Sequence, residues 1–93
     1  MRYKQIVELL LANKADINAR STDGRTPLHQ AVMMGSKDVV ELLLANKADV
    51  NAQTYEGMTA LYWAAIYGKK DVVELLLANK AEINVMNLSL IHI

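Results

Sequence analysis

Apolar positions along the chain fall into short blocks with helical spacing. Leu28, Ala31, Val32 and Gly35 stand at i, i+3, i+4 and i+7, one face of a helix. Val39, Val40, Leu42, Leu43 and Leu44 form a second, denser block to bury. The polar positions punctuate these blocks. Asp23-Gly24 is a turn signal, since glycine tolerates positive φ. Thr26 suits an N-cap, and Pro27 suits the first helical position, where no amide hydrogen is needed. The pattern predicts a first helix from Pro27 to about Met34, ended by Gly35, and a second from about Lys37 to Ala45. Asp38 near the positive end of the second helix and Lys47 near its negative end both favour the helix dipole. Asn46 to Gln53 reads as a loop. The first-helix face is mostly small, so a neighbouring helix can approach closely.

This unit recurs every 33 residues. Glu8-Leu9-Leu10-Leu11-Ala12-Asn13-Lys14-Ala15 returns as Glu41 to Ala48 and as Glu74 to Ala81. Asp16-Ile17-Asn18 returns as Asp49-Val50-Asn51 and Glu82-Ile83-Asn84, and Gly24, Thr26, Leu28, Ala31 and Gly35 return as Gly57, Thr59, Leu61, Ala64 and Gly68. Self-similarity at this period predicts a stacked array, in which each unit buries its apolar face against its neighbours.

The run Asp23-Gly24-Arg25-Thr26-Pro27-Leu28-His29-Gln30-Ala31 resembles the ankyrin repeat signature, as does Ala48-Asp49-Val50-Asn51-Ala52. Glu56-Gly57-Met58-Thr59-Ala60-Leu61-Tyr62-Trp63-Ala64-Ala65 is similar to a looser form of it. The resemblance covers residues 1–87. It implies an all-α fold, an ankyrin-type α-solenoid of stacked helix pairs with hairpin-like turns projecting to one side. It also implies a protein-binding module. The expected division is a partial repeat over 1–21 (second helix and loop only), full repeats over 22–54 and 55–87, and a tail over 88–93.

Three departures bear on this expectation. Lys14, Lys47 and Lys80 stand where the family usually has glycine after the second helix; in a left-handed conformation each costs about 1 kcal/mol against glycine. Tyr62 replaces His29, which the resemblance assigns to structural hydrogen bonds between units, and Ala60 replaces Pro27. At the start of the chain, Arg2 aligns with Gly35, and Ile6, Val7, Leu9, Leu10 and Leu11 are expected to lack the helix that would cover one side of them. The opening residues have the look of a weak signal peptide, but Glu8 interrupts the apolar run and the segment recurs twice, so it reads as part of the fold. At the other end, the period predicts another turn, yet the chain reads Leu88-Ser89-Leu90-Ile91-His92-Ile93. This hexapeptide resembles a translated transposase mosaic-end sequencing adapter and is expected to be non-native. The alternative is a natural apolar tail that caps the last helix pair. On the adapter reading the chain is a fragment of a longer array, with neighbouring repeats of the parent chain as partners.

Composition narrows the function. The chain has 93 residues, enough for one small domain, and 53% of them are hydrophobic, too many for disorder. Ten Lys and Arg balance ten Asp and Glu, so nothing electrostatic points to nucleic acid or an anionic membrane. No apolar run approaches the roughly 18 residues needed to cross a bilayer. Cytosol is the default location. There is no cysteine, which excludes disulfides, thiolate metal sites and a cysteine nucleophile. His29 has no second ligand or carboxylate cluster at metal-ligand or catalytic spacing and reads as structural. Gly24 and Gly57 lack the spacing of a phosphate loop. Asn87-Leu88-Ser89 fits a glycosylation pattern, but it straddles the junction with the tail. No catalytic residue, metal site or cofactor is expected.

The residues that break the apolar stripe are the candidates for recognition. Met33, Met34, Ile66 and Tyr67 lie off the first-helix face and differ between units while the framework repeats. In the resembled family the matching positions face a concave groove. Arg25, Tyr55 and Met58 occupy the matching positions in the turns. Tyr, Met, Ile and Arg together have the composition of a binding hot spot. The competing reading is packing between repeats or tolerated exposure. Trp63, between Leu61 and Ala64, reads as core. The expected function is a non-enzymatic protein-interaction module. The alternative is a spacer or self-assembly segment that uses exposed repeat ends.

Overall fold

A computed structural model gives the fold and describes residues 2–83. Five helices follow in order: α1 (Tyr3–Ala12), α2 (Pro27–Met33), α3 (Lys37–Ala45), α4 (Ala60–Ile66) and α5 (Lys70–Ala78). No strand occurs among the described residues. They form two rows. The short helices α2 and α4 pack on each other, the longer α1, α3 and α5 stack in sequence, and α2 on α3 and α4 on α5 join the rows as antiparallel pairs. Residues 84–93, including the expected tail, lie outside the described part.

Local chemistry sets the boundaries. Thr26 Oγ1 accepts from the His29 amide and Thr59 Oγ1 from the Tyr62 amide, which caps α2 and α4. The helix α2 begins at Pro27, as its sequence predicts, and stops at Met33. Gly35 lies beyond its end at φ 70° and is exposed, so it closes the helix but does not join the buried face. The longer helices end identically. Ala15 N–H reaches Leu10 O and Lys14 N–H reaches Leu11 O, and the same pair of bonds recurs at Ala48 and Lys47 and at Ala81 and Lys80. This closure needs a left-handed residue at the lysine. Lys14, Lys47 and Lys80 hold φ of 64°, 69° and 70°. Asn13, Asn46 and Asn79 add a side-chain bond to the carbonyls of Leu9, Leu42 and Leu75.

The core is aliphatic: Leu28, Ala31, Val32, Val39, Val40, Leu43, Ala60, Leu61, Ala64, Val72 and Leu76. Leu42 and Leu44, expected in the buried set of α3, are only half-buried. Ala31 and Ala64 occupy the close α2–α4 contact, where a larger side chain would force the helices apart. Between units the loops are laced by bonds of fixed span. Asp49 N–H donates to Asn18 Oδ1 at 2.9 Å, and Glu82 N–H donates to Asn51 Oδ1 at 2.7 Å.

The helix α1 is the exception in burial. Val39 and Leu43 of α3 are each 1% exposed, whereas Ile6 and Leu10, at the same repeat positions in α1, are 41% and 52% exposed. Leu9 is exposed as well, and Val7 and Leu11 are half-buried. Helix α3 packs against α2, α1 and α5, whereas α1 packs chiefly against α3 among the described residues.

Candidate functional site

The turn tips are rigid before any side chain is added. In the first, Gly24 N–H donates to Ser21 O and Ser21 N–H to Arg25 O; in the second, Gly57 N–H donates to Thr54 O and Thr54 N–H to Met58 O. Gly24 is required twice over. Its φ is 83°, and an added β-carbon would fall 2.7 Å from Tyr55 Cδ1 and 2.8 Å from the Tyr55 amide nitrogen. The second tip therefore rests on the first, and Tyr55 N–H donates to Asp23 O at 3.3 Å. Arg20 reinforces the junction, since its guanidinium donates to Gly24 O and Gln53 O.

His29 ties the tips to the helices from inside. The Thr26 amide donates to Nδ1 at 2.9 Å, so Nδ1 carries no proton and Nε2 does. Nε2–H is then shared between Ala52 O at 2.9 Å and Met58 O at 3.1 Å. Burial holds the His29 pKa below its ordinary value, against the pull of those two carbonyls, with Arg20 and Arg25 lowering it further. This is a neutral, structural imidazole that fastens one unit to the next. Tyr62 at the same repeat position makes no such bond among the described residues. The acceptors equivalent to Ala52 and Met58 lie one repeat further on, outside them.

The candidate recognition residues separate into two groups. At the tips, Tyr55 is 71% exposed. Arg25 is half-buried, with Nε 3.1 Å from Asp23 Oδ2. That Asp23 carboxyl is held below its usual pKa, first by the Ser21 hydroxyl and also by Arg25. Met58 is half-buried, and its backbone carbonyl accepts from His29. On the short-helix row, Met33, Met34 and Tyr67 line a shallow depression of about 300 Å³ with Gly35 and Lys69. Met34 and Tyr67 are exposed there and Met33 is half-buried. Ile66 is exposed but does not line this depression.

Two residues join this surface that the pattern of the chain did not single out for it. Trp63 packs on the core yet reaches the row surface, its ring 5.7 Å from that of Tyr67 and 5.4 Å from that of Tyr62. Its indole Nε1 is buried with no hydrogen-bond partner among the described residues. Lys69 stands at the rim of the depression. An added β-carbon on Gly35 would lie 3.6 Å from Lys69 Cε and Nζ, so the ammonium sits over the glycine. The signal for Lys69 was its departure from Ser36 in the preceding unit.

The remaining hollows carry no convergent chemistry. One of about 470 Å³ lies between the N-terminal ends of α1 and α3 and mixes Arg2, Lys4, Glu8 and Asp38. No three metal-ligating groups converge among the described residues, and no described helix is long and apolar enough to cross a membrane.

A family model described as ankyrin repeats (3 copies) matches residues 2–87. No curated protein matches the chain. The match spans most of the sequence, and the paired helices, the left-handed helix ends and the stacked turn tips are the structure that its repeats build. The chain belongs to the ankyrin repeat family.

Proposed function

We propose that the chain binds a protein partner through the turn tips and the short-helix row, without catalysing a reaction. Ankyrin repeats are generally protein-interaction modules. The observation that carries the reading here is the depression. Met33, Met34 and Tyr67 break the repeat pattern, come from different units, and meet on one surface. Exposed Tyr brings a large, stiff contact area, and exposed Met an adaptable one. Tyr55, Arg25 and Met58 belong to the turn tips, before the N-termini of the same short helices, and Ile66 is exposed at the end of α4. The units 22–54 and 55–87 supply all of these side chains. The test is capture of partners by the wild-type chain and by a Tyr55→Ser/Tyr67→Ala variant, with far-UV circular dichroism as the fold control. Partners of the wild type are lost from the variant; a partner set indifferent to both changes would refute the surface.

A second reading is favoured by α1. Ile6, Leu9 and Leu10 form an exposed apolar stripe that suits self-assembly. It requires concentration-dependent association that Leu10→Gln abolishes. A sedimenting monomer at high concentration would count against it.

A further inference from the structure

The depression beside α2 and α4 is rimmed by one residue that departs from the repeat. Lys69 is the N-cap of α5, where the preceding unit has Ser36. Neither side chain caps its helix; Asp38 and Asp71 in the first turns accept from the Val39 and Val72 amides instead. Lys69 adds a cation there without replacing a cap. Its side chain makes no cap bond and no ion pair with a described residue. The nearest carboxylate in sequence, Asp71, is turned into its own helix, where Oδ1 accepts from the Val72 amide at 2.9 Å. Lys69 instead extends over Gly35 to the rim of the depression, whose lining includes no carboxylate. The ammonium is therefore available to a charge brought by a partner.

We infer that the depression selects a partner segment that carries an apolar side chain next to a carboxylate. The apolar side chain enters between Met33, Met34 and Tyr67, and the carboxylate meets the Lys69 ammonium. The two methionines are unbranched and adapt to different shapes. Selectivity therefore comes from charge: an acidic neighbour gains a charge-assisted bond, and a basic one is repelled. This rests on the interface reading above and adds the chemistry of the segment bound.

The probe is a phage-displayed library of random dodecapeptides, panned on the full chain. Enriched peptides are labelled with fluorescein and titrated by anisotropy against wild type, Met34→Ala, Lys69→Arg, Lys69→Glu and Lys69→Ser. The enriched sequences carry Asp or Glu beside Leu, Met, Phe or Tyr, and their affinity falls as salt rises. Lys69→Glu weakens binding about tenfold or more, the scale of a lost charge-assisted hydrogen bond, while Lys69→Arg retains it. Lys69→Ser restores the residue of the preceding unit, so it keeps the fold; it weakens the peptide. Unchanged affinity in this variant overturns the proposal. Peptides weakened by Met34→Ala but indifferent to Lys69→Glu refute the acidic preference and leave the interface standing. No enrichment, or binding indifferent to every variant, overturns both.

Discussion

Helices α1 and α3 share the sequence Glu-Leu-Leu-Leu-Ala-Asn-Lys-Ala and close in the same left-handed turn, yet one is buried and the other is not. Leu43 is 1% exposed and Leu10, its repeat equivalent, is 52% exposed. The helix and its cap are local, set by residues within one turn of each end. Burial is not local, because it depends on the helices packed alongside. In an array of this kind the same side chain is core or surface according to its neighbours.

The comparison can be broken by mutation. Leu43→Ala should cost about 2–5 kcal/mol, the range for a buried leucine that leaves a cavity. Leu10→Ala should cost no more than about 1 kcal/mol, since it sits on open surface. Urea unfolding measures both, and equal losses would mean that α1 is covered in solution. His29 gives the next largest effect. His29→Ala strips a donor from two carbonyls and should cost about 2–3 kcal/mol, whereas Tyr62→Ala should cost about half as much.

The same histidine carries a pH dependence. Burial holds its folded pKa below the ordinary 6.5, so the unfolded chain takes up the proton first. The contribution is therefore complete above about pH 6.5 and is lost as the pH falls from there through the lower folded value. Thermal melts across this range should show the slope, and His29→Gln should flatten it. The smallest effect comes from the helix ends. Lys47→Gly relieves a left-handed lysine and should stabilise by about 1 kcal/mol. Lys14→Gly should give less, because α1 is less well packed and its closure holds less structure in place. Calorimetry on the two variants orders them.

The architecture was legible because its signals are local and repeated. Thr26 and Pro27 start α2, Lys47 ends α3 in the expected backbone form, and His29 proves structural. Leu42 and Leu44 show where such reading stops: a run of three leucines does not say which faces the neighbour. Gly35 shows it again, since it matches the apolar spacing but lies past the helix end. Lys69 showed in the sequence only as a departure from Ser36; its place on the surface depends on Gly35, 34 positions earlier and brought beneath it by the stacking of units. Met58 resembled a free tip residue, but its carbonyl had already been committed to His29 from the unit before.

The bonds from Asn18 to Asp49 and from Asn51 to Glu82 have a genetic consequence. Each runs from a side chain to a backbone amide 31 positions later, and the next one repeats the geometry. A duplication or deletion of one whole period therefore reconnects every such bond with an equivalent partner, whichever codon the crossover uses. Unequal recombination within the coding sequence can lengthen the array while every junction between units keeps its bonds. A slip of any other length misaligns the asparagines, the caps and the helices at once. The repeat is thus a unit of inheritance as well as a unit of packing.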